Sequence, residues 1–206
     1  MKYFGTDGIR STFNNSFLNE DFAFSLAEAL ASFILKKQIQ GRKIVIGLDT
    51  RPSGRLLLNA FLQGLHANGF TGLSAGVIPT PALAYATMKK KMSMGVMITA
   101  SHNPVQDNGF KFFTSLGTKL SDSEEAEIEN MILQNHRPRI NQDSKSLEII
   151  DSYLDHLMNF FPRDLLKNKI VVIDLSNGAT QKTTPQLFER LGAEVRVYND
   201  GSGEIN

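Results

Sequence analysis

The chain has 206 residues, 41% of them hydrophobic and 21% charged, with no cysteine and a formal net charge of +1. That composition belongs to an ordinary soluble globular chain with room for one full core and part of a second, and it excludes disordered and fibrous classes. Near-neutral charge argues against a nucleic-acid surface held by bulk electrostatics. Absent cysteine excludes disulfides and thiolate metal sites and is compatible with the cytoplasm, and no apolar run is long enough to span a bilayer.

No apolar leader precedes the first motif. Phe4 to Arg10 reads as a glycine-punctuated loop that ends in a cation, the form of a loop approaching an anion. Asn19 reads as a helix cap followed by Glu20 and Asp21, and Phe22, Leu26, Leu30, Phe33 and Ile34 then recur at helical spacing as a core stripe. Gly41-Arg42 leads into a strand over Lys43 to Asp49, and Ser53 reads as the cap of a second helix that closes near Gly69. Arg51 follows that strand's carboxyl end, so it can face a cleft there. Pairing with Asp49 or with a helix end is at least as good a reading, and Arg51 is not among the candidate site residues. Leu73 to Val77 is the next strand. Pro79-Thr80-Pro81 breaks it before a helix around Ala82 to Met88, and Lys89 to Lys91 reads as a solvated face.

Met94 to Ala100 is a short apolar run with β-branched members, the signature of a buried strand. Ser101 follows at its carboxyl end, where open α/β sheets place their ligand crevices. Pro104 pushes Asn103 toward an extended conformation, and Asn108-Gly109 reads as a turn returning the chain into a strand over Phe110 to Thr114. Alternation along that strand points Lys111 away from Phe110 and Phe112. Ser101, His102, Asn103 and Lys111 thus offer a hydroxyl, an imidazole, an amide and an ammonium in a short span. The nucleophile elbow G-x-S-x-G is absent, which argues against acyl transfer, whereas a hydroxyl that takes and gives a phosphoryl group needs cations around it. On residue types alone, a serine in a solvated loop beside a lysine is the better reading.

Ser121 with Glu124 forms a capping box, and Ala126, Ile128, Met131 and Ile132 continue the helix it opens, with Glu125, Glu127 and Glu129 on a solvated face. Asn135 to Lys145 reads as a polar connector that divides residues 1–145 from residues 146–206. Beyond it come an amphipathic helix over Leu147 to Phe161, a buried strand over Lys169 to Leu175 and a tight turn at Ser176-Asn177-Gly178. A helix over Thr180 to Leu191 and a strand over Glu194 to Tyr198 complete a fresh βαβ unit. The last eight residues, Asn199 to Asn206, read as a loop. The expected fold is α/β: a mixed β-sheet sandwiched between helices, followed by a partial second α/β domain of similar architecture whose uncovered strands favour self-association.

Thr99-Ala100-Ser101-His102-Asn103-Pro104 followed by Asp107-Asn108-Gly109-Phe110-Lys111 resembles the phosphoserine loop of the α-D-phosphohexomutases, and Phe4-Gly5-Thr6-Asp7-Gly8-Ile9-Arg10 resembles their amino-terminal signature. Ser11 stands where the family usually has another glycine. Asp107 to Phe113, then Gly117-Thr118-Lys119-Leu120 and an acidic helix, are most similar to the bacterial branch that acts on glucosamine phosphates. The resemblance implies that phosphorylated Ser101 gives its phosphoryl group to a hexose phosphate and recovers one from the bisphosphate intermediate. It implies that Arg10 and Lys111 steady the moving charge and that His102 orients the loop or assists proton transfer. A phosphomannomutase or phosphoglucomutase, or a non-catalytic sugar-phosphate-binding module, are the alternatives. The resemblance also implies Mg²⁺ on the Ser101 phosphate, with its aspartate ligands beyond residue 206, and a hexose bisphosphate activator. The implied partner is a small hexose phosphate in the cytoplasm, with neither nucleic acid nor membrane.

Overall fold

The computed structural model describes residues 2–133, 145–201 and 205. Most of the connector expected over Asn135 to Lys145, and part of the terminal loop, lie outside the described residues. Seven strands among them form one sheet in the order β1-β2-β6-β5-β3-β4-β7. These are β1 (Phe4–Gly5), β2 (Gly8–Thr12), β3 (Lys43–Leu48), β4 (Thr71–Val77), β5 (Met94–Ile98), β6 (Asp107–Thr114) and β7 (Lys145–Ser146). Strands β4, β3 and β5 run parallel and β7 extends them, while β6 and β2 are antiparallel additions on the other side. The sheet is therefore mixed, as expected.

Alternation along the strands builds two cores. Ile44 and Ile46 of β3, Val96 of β5, and Phe110 and Phe112 of β6 face one side. Helices α1 (Glu20–Lys36), α2 (Gly54–Ala67) and α4 (Asp122–Glu129) cover that side. Val45 and Met97 face the other, under α3 (Thr80–Lys89) and α5 (Ile150–Met158). The Asn19 side chain caps α1 by accepting from the Phe22 N–H at 2.9 Å, and Phe22, Leu26, Leu30, Phe33 and Ile34 are all buried.

Several local expectations change. Phe4 to Arg10 is a hairpin of β1 and β2 rather than a loop, because Gly8 (φ 81) lets β2 approach β6 so closely that a Cβ there would lie 2.3 Å from the Phe110 carbonyl oxygen. Ser11 is an ordinary strand residue opposite Asn108. Asn108-Gly109 lies inside β6, and the chain reverses before it, with the Asn103 N–H donating to Ala100 O and the Asp107 N–H to Pro104 O. Ser53 makes no side-chain cap; its hydroxyl accepts from Asn108 Nδ2 at 2.9 Å. The Ser121–Glu124 capping box is present, but α4 ends at Glu129.

The acidic face of α4 is not simply solvated. Glu127 pairs with Lys36 and Lys37. The Glu129 carboxylate accepts from the backbone N–H groups of Lys2, Tyr3 and Phe4, and Glu125 is buried. Helical spacing alone could not foresee this, since what meets α4 comes from the end of α1 and from the distant amino-terminal segment.

Beyond β7, a second parallel pair, β8 (Ile170–Asp174) and β9 (Glu194–Tyr198), is joined through α6 (Thr184–Arg190). The βαβ unit is as expected, but β8 is not buried: Ile170 is 57% and Val172 64% exposed. Arg190 of α6 reaches Asp151 and Asp155 of α5, and Thr50 Oγ1 donates to Asn177 O at 2.5 Å. The unit is thereby tied to the carboxyl end of the sheet.

Candidate active site

Every residue of β5 is buried, and the chain leaves its carboxyl end through Thr99 and Ala100 into Ser101. Ser101 is exposed and holds a left-handed backbone, φ 59, which costs an L-residue about 1–2 kcal/mol and persists only where its surroundings over-determine it. The surroundings do so. Its N–H donates to Thr99 Oγ1 at 2.9 Å, and that hydroxyl donates to Asp49 Oδ2 at 2.6 Å. Its carbonyl accepts from Arg51 Nη2 at 2.8 Å. Arg51 also binds the carbonyls of Asn103, Pro104 and Asp107, and it pairs with Asp49 through Nε at 2.9 Å. Of the two readings of Arg51, the pairing with Asp49 holds and the cleft-facing one does not: the side chain is fully buried beneath the reactive loop. Its place after a strand's carboxyl end was the available signal.

Arg10 and Lys111 lie on neighbouring strands. Arg10 is opposite Gly109 and Lys111 opposite Met97, so both project from the sheet face away from Phe110. They meet on one carboxylate: Asp7 Oδ2 lies 2.7 Å from Lys111 Nζ and 2.5 Å from Arg10 Nη2. The Lys111 ammonium, with Arg10 adding to it, holds the Asp7 carboxyl below the usual carboxylate range. Arg10 Nη1 reaches Asn103 Oδ1 at 3.4 Å, and Asn103 Nδ2 donates to Asp107 Oδ2 at 3.0 Å, which joins the cation pair to the loop.

Ser101 and His102 open onto a cleft of about 290 Å³ whose walls include Asp49 and Thr99, just past the ends of β3 and β5, and Ala179 and Ile205 from the second unit. Arg10 and Lys111 do not line that cleft; Arg10 reaches the serine's loop through Asn103, and Lys111 is held beside Arg10 by Asp7. A Mg²⁺ ion demands several oxygen ligands. Among the described residues no three histidines or carboxylates group to hold a metal, and Asp49 on the cleft already accepts from Thr99 and Arg51. These residues do not make a Mg²⁺ site by themselves.

A sequence model described as phosphoglucomutase/phosphomannomutase, alpha/beta/alpha domain I, matches residues 1–139. The chain belongs to the phosphoglucomutase/phosphomannomutase family. Among the family's curated members, a phosphoglucosamine mutase of Campylobacter fetus is 42% identical over all of this chain and 48% of its own length. One from Syntrophus aciditrophicus is 41% identical over 98% of this chain and 47% of its own. The chain spans about half the length of the curated relatives it matches. A solved structure described as a putative phosphomannomutase, from Thermus thermophilus, superposes with TM-score 0.85 at 25% identity over 97% of this chain and 46% of that one. The fold of a phosphoglucomutase/phosphomannomutase family protein from Burkholderia thailandensis matches at TM-score 0.80, with 24% identity over 96% of this chain and 43% of that one.

Proposed function

We propose that this chain is the phosphoserine-bearing part of a phosphoglucosamine mutase, an isomerase of carbohydrate metabolism that interconverts glucosamine 6-phosphate and glucosamine 1-phosphate. The observation that carries the reading is Ser101: an exposed residue in a left-handed turn at the end of a buried strand, with Arg10 joined to its loop through Asn103 and Lys111 joined to Arg10 through Asp7. Identity of about 40% to phosphoglucosamine mutases along the whole chain supports the amino-sugar branch over the mannose and glucose branches.

Ser101 Oγ carries the phosphoryl group, which passes to the free hydroxyl of the hexose phosphate; the resulting bisphosphate turns over and returns its other phosphoryl group to Ser101. Charge stabilisation and positioning dominate such a transfer. Arg10 and Lys111 supply the stabilisation once Asp7 yields them to the phosphoryl oxygens. His102, beside the serine on the cleft, orients the loop or moves the hydroxyl proton. The family reading brings Mg²⁺ and a hexose bisphosphate activator, and no step here is routed through the metal. Among the described residues no helix is long and apolar enough to cross a membrane, and a cytoplasmic site of action belongs to the same proposal.

The experiment is peptide mapping by mass after incubating the full-length protein with glucosamine 1,6-bisphosphate, together with turnover on glucosamine, mannose and glucose phosphates. Phosphate on Ser101 and preference for the amino sugar are expected. Phosphate elsewhere, or full turnover by Ser101→Ala, overturns the phosphoserine; preference for a neutral sugar moves the protein to the phosphomannomutase or phosphoglucomutase branch.

A further inference from the structure

We infer that Arg51 is the positioning residue of Ser101, holding the serine's backbone in its left-handed turn from beneath while touching neither substrate nor phosphate. The inference rests on the phosphoserine reading above for its functional meaning and on the geometry for its substance.

A guanidinium has five N–H donors in a rigid fork. In Arg51 the fork is filled. Nη2 donates to Ser101 O and Asn103 O, each at 2.8 Å, Nη1 to Pro104 O at 2.5 Å and Asp107 O at 2.9 Å, and Nε to Asp49 Oδ2 at 2.9 Å. The side chain is fully buried, so the charge is spent on the loop and on Asp49 rather than on anything in the cleft. Desolvating a guanidinium costs several kcal/mol unless its pairing is nearly complete, and here the acceptors are carbonyls of the very turn that carries the serine.

Two consequences follow for Ser101. Its N–H is fixed by Thr99 Oγ1, which Asp49 orients, and its carbonyl is fixed by Arg51, which Asp49 also orients. Asp49 is therefore the common anchor of both ends of one residue. In addition, four carbonyl dipoles of the loop are drawn inward onto one cation. Their negative ends would otherwise be available to repel a phosphoryl group bearing roughly −1.5 to −2 charges. Lysine, a point charge with three donors, cannot replace that fork.

The test uses Arg51→Lys, which keeps the charge, and Thr99→Val, which removes only the hydroxyl and guards against a misfolded Arg51 variant. Ser101 is followed by amide hydrogen exchange and by the NMR coupling that reports φ, with the amides of β3 and β5 as internal controls. In either variant the Ser101 amide should exchange roughly tenfold faster and lose its left-handed coupling, the scale of one lost hydrogen bond, while β3 and β5 keep wild-type protection. Unchanged Ser101 coupling and exchange in both folded variants overturns the inference. So does a loss of protection in β3 and β5 equal to that at Ser101, because the network then holds the fold and not the serine.

A second arm measures phosphorylation of Ser101 by glucose 1,6-bisphosphate. The variants should be slowed roughly a hundredfold, the typical effect of a misplacement of about 1 Å, and equal rates overturn the inference. Should the wild-type serine take no phosphate, the phosphoserine reading fails, while the coupling and exchange arm still decides whether Arg51 sets the turn.

Discussion

Lys111 Nζ sits 2.7 Å from Asp7 Oδ2, the same oxygen that accepts from Arg10, so an internal carboxylate stands between the two cations assigned to a moving phosphoryl group. A phosphate must compete with Asp7 for them. Replacing Asp7 by Asn removes the competitor and should tighten inorganic phosphate binding about two- to fivefold, the scale of a partly exposed ion pair. Titration followed by the amide shifts of Arg10 and Lys111 measures it, and unchanged or weaker binding refutes this role of Asp7.

Replacing Lys111 by Met keeps the stem and removes the charge. Phosphoryl transfer in the full-length protein should slow by roughly two orders of magnitude, as for one lost electrostatic stabiliser, with little change in the urea midpoint. Rate loss no greater than the loss of folded protein would make Lys111 a structural lysine.

Glu125 is buried with neither carboxylate oxygen hydrogen-bonded, and Lys119 Nζ stands 4.0 Å away. Burial pushes its carboxyl up; Lys119 works against the shift, and Asp122 and Asp7 add to it. A folded-state value above the unfolded one means that the native state binds the proton more tightly. Its contribution is therefore favourable at low pH, is lost as pH rises from the ordinary glutamate range through the raised value, and is flat above that. Glu125→Gln should remove this slope and raise stability at neutral pH by about 1 kcal/mol or more. Asp7 is depressed, so it contributes stability above its unfolded value that is lost as pH falls through the folded one. Urea unfolding of both chains across pH separates the two effects, and parallel curves would refute the assignment to Glu125.

Gly109 lies where β2 and β6 touch. A Cβ there would stand 2.0 Å from the Ile9 carbonyl oxygen and 2.9 Å from that of Thr99, and neither backbone atom can swing aside. Gly109→Ala should cost about 2–3 kcal/mol and loosen the hairpin that carries Asp7 and Arg10. An unchanged urea midpoint would show that the strands separate without penalty.

The seven-stranded sheet and the β8–β9 pair should differ in protection. The strands β8 and β9 make a two-stranded parallel sheet with Ile170, Val172 and Tyr198 exposed, which is a weak core and an open edge. Hydrogen exchange in β8 and β9 should be much faster than in β3 and β5, sedimentation should show concentration-dependent association, and this chain alone should lack mutase turnover. Equal protection in a monomer, or full turnover, contradicts the expectation.

The sequence by itself determined the elements whose signal is local. The Asn19 cap and the Phe22 to Ile34 stripe, the apolar run of β5, the serine at its end and the two strands around α6 all follow from spacing, capping and turn residues. It also offered Ser101, His102, Arg10 and Lys111 as candidates, because the motifs that carry the resemblance are contiguous. Tertiary structure decided what depends on a partner distant in the chain. Asn108-Gly109 has the form of a turn, yet it is strand because β2 needs a residue without a Cβ opposite Arg10. Glu125 and Glu129 have the spacing of a solvated face, yet one is buried and the other ties down the amino-terminal strand. Arg51 has two local readings, and the loop folded over it some 50 residues later decides between them: it covers the guanidinium, which pairs with Asp49 and does not face the cleft. Periodicity reports which face of an element is apolar; which charged groups meet across elements is fixed only when the sheet brings distant strands side by side.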